Sequence, residues 1–98
     1  MDLYVILRRS GWRSADDLAL AAARSGQVGD DEMPDEVRWI RSYVLEEGAG
    51  SVGTVCIYQA TGPEAIRKHA SLADIPADEI IPVLDTVFVR PDPVPTAA

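Results

Sequence analysis

The sequence predicts an α+β sandwich, a four-stranded antiparallel sheet with two helices on one face. Three observations carry this. Apolar residues recur at period two in four stretches and at helical spacing in two. The elements alternate strand, helix, strand, strand, helix, strand. At 98 residues the chain has room for one core of two packed layers, burying roughly 65% of the surface its unfolded form exposes.

Asp2 to Arg9 alternates, with Leu3, Val5 and Leu7 on one side and Tyr4, Ile6 and Arg8 on the other. Ser10-Gly11-Trp12 breaks that pattern. Ser14 followed by Asp17 is a capping-box signature, and Ala15 to Ser25 is rich in Ala and Leu, so a helix is expected there with Gly26 as its stop. Gln27 to Glu36 is polar and acidic and reads as a loop. Its carboxylates lack the alternating ligands, central Gly and terminal Glu of a calcium-binding loop.

Val37 to Leu45 and Val52 to Ala60 are the second and third strands. A type II′ turn at Gly48-Ala49 joins them. Counting back from it pairs Leu45 with Val52, Tyr43 with Thr54, Arg41 with Cys56, Ile40 with Ile57 and Trp39 with Tyr58. Thr61 as N-cap, Pro63 in the first turn and Glu64 as its capping partner start a helix to Ala73, with Ile66, Ala70 and Ala73 as its apolar stripe. Ile80 to Val89 is the last strand. Pro82 confines it to an edge, a bulge or a strand start. The order is that of the ferredoxin-like βαββαβ sandwich. The domain is expected over residues 1–89, and the Pro-rich residues 90–98 as an extended, mobile tail.

Composition narrows function. Hydrophobic residues make 47% and charged residues 26%, an ordinary globular balance. A net charge of −7 disfavours nucleic acid and anionic lipid as partners. No apolar run approaches the roughly 20 residues of a membrane span, and the start lacks the basic-then-apolar pattern of a secretory signal. One cysteine makes no internal disulfide, so a cytoplasmic location is expected. Phosphate-binding glycine loops, nucleophile elbows and zinc spacings are absent.

Helices protect one face of a sheet, and the other must find cover. Leu3, Val5, Leu7, Ile40, Val44, Val55 and Ile57 are assigned to the helix side because they are aliphatic. The bare side then carries Tyr4, Ile6, Arg8, Trp39, Arg41, Tyr43, Thr54, Cys56 and Tyr58, joined by Leu84, Thr86 and Phe88. Such a surface exceeds a tolerated patch and matches the composition of interface centres. The expected ligand-binding or dimer face is therefore Tyr4, Arg8, Trp39, Arg41, Tyr43, Cys56 and Tyr58. A homodimer stacked through it is expected, with a small-molecule pocket as a compatible role and an RNA platform disfavoured by charge. Arg8 and Arg41 suit an anionic ligand or carboxylates across a dimer. Cys56 opposite Arg41 has the setting of a lowered thiol pKa, and His69 is a weak metal-ligand or general-base candidate. On this parity the sheet separates Cys56 from His69.

Val37-Arg38-Trp39-Ile40-Arg41-Ser42-Tyr43-Val44, Cys56-Ile57-Tyr58-Gln59-Ala60, Pro63-Glu64-Ala65-Ile66-Arg67-Lys68-His69-Ala70 and Ile75-Pro76-Ala77-Asp78 together resemble a bacterial family of small ferredoxin-like domains that includes a nickel-binding protein. The resemblance implies the ferredoxin-like fold and a dimer, and it raises nickel binding. The nickel-binding relative is histidine-rich near its first strand. The matching stretch here, Leu7-Arg8-Arg9-Ser10-Gly11-Trp12, has no histidine. The expected function is accordingly a non-enzymatic small-ligand-binding or accessory homodimer with no cofactor. Nickel or another transition metal is the alternative. An enzyme of the dimeric α+β barrel type, with a cavity bounded by Trp39, Tyr43, Cys56 and Tyr58, is a second alternative.

Overall fold

The computed structural model describes residues 1–94. Its elements are β1 (Asp2–Trp12), α1 (Ala15–Gln27), a π-helical turn (Val28–Glu32), β2 (Val37–Gly48), β3 (Ser51–Ala60), α2 (Pro63–Ala73) and β4 (Glu79–Pro82). The sheet runs β2-β3-β1-β4 with every neighbouring pair antiparallel, the ferredoxin-like arrangement.

Local chemistry accounts for the helices. The Ser14 hydroxyl accepts the Asp17 amide at 3.2 Å, and Asp16 and Asp17 lie at the positive end of the α1 dipole. Gly26 does not stop α1. The Trp39 ring lies against it, and the chain continues into the π-helical turn because Val28, Met33 and Val37 are buried and hold it to the core. The expected acidic loop is therefore partly helical, with Asp30, Asp31 and Glu32 exposed. In α2 the N-cap is Gly62, without a side-chain cap; the Thr61 amide donates to the Glu36 carbonyl at 3.0 Å, and Glu64 pairs with Arg67. Asp74, in the left-handed region at φ 55°, ends α2. Arg24 of α1 donates to the Ala73 and Asp74 carbonyls, placing a cation at the α2 C-terminus and tying the helices together.

The β2–β3 hairpin departs from the expected register. The turn is Ala49-Gly50, with φ of 51° and 80°, so both central residues are left-handed as a type I′ turn requires. Trp39 does lie opposite Tyr58, as expected. Ile40 and Glu47 are bulged, however, and the residues between them shift by one: Arg41 faces Ile57, Ser42 Cys56, Tyr43 Val55 and Val44 Thr54. A third irregularity, in β1 between Arg8 and Trp12, includes Ser10 at φ 46°. The Glu47 carboxylate bridges the two distorted segments, accepting from the Ser10 amide and Arg9 Nε. Gly53 makes room for it, because a side chain there would run into both that carboxylate and the Arg8 carbonyl.

The core lies between the helices and one sheet face. It contains Tyr4, Ile6, Cys56, Tyr58 and Ala60 from the sheet, Ala65, Ile66 and Ala73 from α2, and Val28, Met33 and Val37. β4 is an edge strand, as Pro82 implied, but it ends at that proline rather than at Val89; only the Val83 amide, donating to the Leu3 carbonyl, prolongs it. Residues 83–94 form no regular element, and Leu84, Val87, Phe88 and Val89 are exposed. The remainder of the expected tail, 95–98, lies outside the described residues.

Candidate functional site

In β1 and β3 the two faces of the sheet are the reverse of the sequence assignment. Tyr4, Ile6, Arg8, Thr54, Cys56 and Tyr58 all point beneath the helices and are buried. Leu3, Val5, Leu7, Val55 and Ile57 alternate with them, half-buried, and occupy the helix-free face instead. The bulge at Ile40 splits the second strand. Trp39, Ser42 and Val44 go to the helix side, while Arg41 and Tyr43 stay on the open face. Of the seven residues expected to share a bare surface, Tyr4, Arg8, Trp39, Cys56 and Tyr58 are thus corrected to the helix side. Packing volume explains the reversal. Most helix positions that meet the sheet are small — Ala21, Ser25, Ala65, Ala70 and Ala73, with Ile66 and His69 the larger exceptions — and large sheet residues fill the layer against them. Those small positions were the signal available in the sequence.

The helix side is not filled completely. A solvent-open cleft of about 80 Å3 lies between α1 and the sheet. Leu18, Ala21, Ala22 and Ser25 of α1 form its roof, and Trp12 and Ile75 also line it. Its floor is Arg8, Ser42, Val44, Thr54, Cys56 and Tyr58, with Trp39, 41% exposed, at the rim. Trp39 and Tyr58 stack with centroids 6.1 Å apart and planes within 12°. The β1 irregularity puts Trp12 opposite Val52, on the same side as Arg8. Tyr43 takes no part in the cleft; on the open face its hydroxyl donates to Asp92 at 2.6 Å, beside the Arg41–Asp92 ion pair at 3.2 Å. That bond to a carboxylate, with some burial, raises the Tyr43 phenol above its usual range.

Arg8 is 1% exposed. Its Nε donates to the Pro76 carbonyl at 2.6 Å, and its guanidinium lies over the Tyr58 ring, 5.8 Å from the centroid. Nη2 is buried without a partner, and none of the ion pairs among the described residues includes Arg8. Behind it runs a buried polar chain. Tyr58 Oη and Ser25 Oγ are 3.1 Å apart, and His69 Nε2 lies 3.0 Å from the Ser25 carbonyl. A carbonyl only accepts, so Nε2 carries the proton and Nδ1 is left bare and unpartnered. Burial lowers the His69 pKa, the Ser25 carbonyl partly offsets this, and the Arg8 charge lowers it further, all told favouring the neutral imidazole. Burial raises the Tyr58 phenol, against the opposing hydrogen bond from Ser25.

Cys56 and His69 prove to lie on the same side of the sheet, against the expectation that it separates them. Cys56 is buried, with its thiol 3.3 Å from Thr54 Oγ1, and Ser42 rather than Arg41 is its strand partner. Against expectation, Arg41 therefore does not stand across from the thiol. Among the described residues, no three His, Cys, Asp or Glu side chains converge as a metal site would require, and no helix is long and apolar enough to cross a membrane.

Residues 4–83 match the family model described as nickel responsive protein SCO4226-like. The chain belongs to this family. SCO4226 from Streptomyces coelicolor A3(2), solved as a crystal structure, is similar in fold, with a TM-score of 0.67 at 21% identity; the match covers 87% of this chain and 99% of that one. No curated protein matches the chain. The SCO4226-like match spans β1 to the residue after β4, so it includes every strand and helix that builds the cleft.

Proposed function

We propose that this SCO4226-like protein is a non-enzymatic small-ligand-binding or accessory protein, cytoplasmic and homodimeric. The preformed cleft between α1 and the sheet carries the reading. Its walls are mainly apolar and aromatic, with Arg8, Ser25, Ser42 and Thr54 among them, the kind of lining found at small-molecule sites. The helix-free face supports the dimer. Leu3, Val5, Leu7, Val55, Ile57 and Ile81 form an aliphatic strip, with Tyr43 beside it, and a two-fold contact between copies covers such a strip with itself. The dimer therefore forms through the aliphatic face, and the aromatic one holds ligand.

Calorimetric titration with indole tests the cleft. Wild type binds it and Ala22→Phe, which fills the roof, does not. Equal binding by both variants refutes the location, and absence of binding by wild type refutes the reading. Sedimentation tests the assembly: wild type is a dimer and Ile57→Asp a monomer. A wild-type monomer refutes the dimer.

The family's nickel responsiveness favours nickel as a second reading. One chain's described residues do not fit a nickel centre, because its single imidazole is buried and already donates to Ser25. A centre would need ligands from two copies or a rearranged His69. Absence of nickel heat in wild type refutes this reading; heat lost in His69→Ala assigns the site to a rearranged His69, and heat kept in it assigns the site to ligands shared between copies.

A further inference from the structure

Arg8 poses an electrostatic problem that the protein's own groups leave unsolved. A buried cation is stable only when paired and hydrogen-bonded, and a buried arginine ordinarily finds a carboxylate. Here one bond to Pro76 and one aromatic face are its partners, while Nη2 is buried and unsatisfied just beneath a cleft that the Arg8 side chain helps to line. Two further donors line the same cleft. Thr54 is the strand partner of Arg8 and points to the same face; its Oγ1 accepts from Cys56 Sγ, which leaves its hydroxyl hydrogen uncommitted. Ser42 Oγ accepts from Trp39 Nε1 at 2.8 Å, and its hydrogen is likewise uncommitted. A guanidinium N–H and two hydroxyl hydrogens thus belong to side chains lining one cleft, with no acceptor supplied among the described residues. That set matches an anion.

Resting on the small-ligand reading of the cleft, we infer that its ligand is a small organic monocarboxylate with an apolar or aromatic body, its carboxylate held by Arg8, Thr54 and Ser42. The cleft distinguishes this from an inorganic anion. Phosphate and sulfate carry strongly held water on every oxygen, and the Trp12, Leu18, Ala22 and Ile75 walls offer no replacement. A carboxylate exposes two oxygens to the donors and turns its apolar remainder toward those walls. With a chain charge of −7, the attraction comes from the local, desolvated guanidinium rather than from the overall field.

The probes are benzoate and benzamide, which share a ring and differ in the charged group, with phosphate as an inorganic control. Titrated into wild-type protein, benzoate binds at least about tenfold more tightly than benzamide. The difference disappears in Arg8→Met and is partly kept in Arg8→Lys, and Thr54→Val weakens benzoate more than benzamide. Thr54→Val keeps the side-chain shape, so it reports even if Arg8→Met fails to fold. Equal affinity for benzoate and benzamide overturns the inference while indole binding keeps the cleft reading standing. Phosphate binding as tight as benzoate overturns the ligand class. No binding of indole, benzoate or benzamide at about 10 mM overturns both readings.

Discussion

Replacing Arg8 with methionine in the ligand-free protein isolates the cost of holding an unpaired cation beneath the helices. The substitution removes the 2.6 Å charge-assisted bond to Pro76, worth about 1.5–3 kcal/mol. It also removes the contact over Tyr58, worth about 1–2 kcal/mol when desolvated. Against these stands the penalty for burying a guanidinium with no carboxylate and one nitrogen unbonded, several kcal/mol. Methionine keeps most of the apolar stem, so cavity formation adds little. The expected outcome is a stability unchanged or higher by up to about 2 kcal/mol, read as a rise of about 4–8 °C in melting temperature per kcal/mol. An ordinary large-to-small substitution in a filled core costs about 2–5 kcal/mol instead. Urea unfolding followed by circular dichroism supplies the measurement. A loss of about 3 kcal/mol or more would show that the folded chain compensates Arg8 internally, and the case for a missing anionic partner would fail. Conversely, benzoate at about ten times its dissociation constant should stabilise wild type by about 1.4 kcal/mol and leave Arg8→Met unmoved.

Four further outcomes follow from the geometry. Gly53→Ala should cost at least about 1–3 kcal/mol in urea unfolding, because its methyl group meets the Arg8 carbonyl, which moves only if β1 leaves β3. Tyr58→Phe should cost about 1 kcal/mol through the lost Ser25 hydrogen bond, with the Trp39 stack kept; an unchanged midpoint would show that bond to contribute nothing. The folded-state pKa of His69 is depressed, so below about pH 6.5 the unfolded chain takes up a proton that the folded chain refuses. Stability is therefore full above that pH and falls as pH drops toward the folded-state value; urea midpoints between neutral and mildly acidic pH should show the slope, and His69→Asn should lose it. Glu47 is also depressed, chiefly by the hydrogen bond from Arg9 and then by that from Ser10, so its contribution disappears at still lower pH as the carboxylate protonates, and Glu47→Gln should flatten that acid limb.

Local patterning made much of the architecture readable. Ser14 with Asp17 starts α1 where the capping signature places it, Pro63 opens α2 in its first turn, and Pro82 sits on an edge strand. Each depends on backbone chemistry within a few residues, which the sequence displays directly. The order of elements then leaves few topologies, and the ferredoxin-like one is adopted. Even the Trp39–Tyr58 pair was legible from the hairpin, although its turn was displaced by one residue.

The candidate site was only half legible. Arg8, Trp39, Cys56 and Tyr58 were singled out and do converge, but on the side opposite to the one assigned. Period-two alternation separates two sets of side chains without saying which set meets the helices, because that depends on volume rather than polarity. The alanine and serine positions of the helices leave a gap that tyrosine, tryptophan and arginine fill better than valine and leucine. The bulge at Ile40 was hidden for a similar reason: an extra residue leaves each local pattern intact, and its effect on facing appears only across paired strands. The linear chain specifies which residues alternate and where helices begin, since those are short-range properties. Which face is covered, and that Arg8 is buried without a counter-charge, follow from how two layers of unequal side-chain size close on each other.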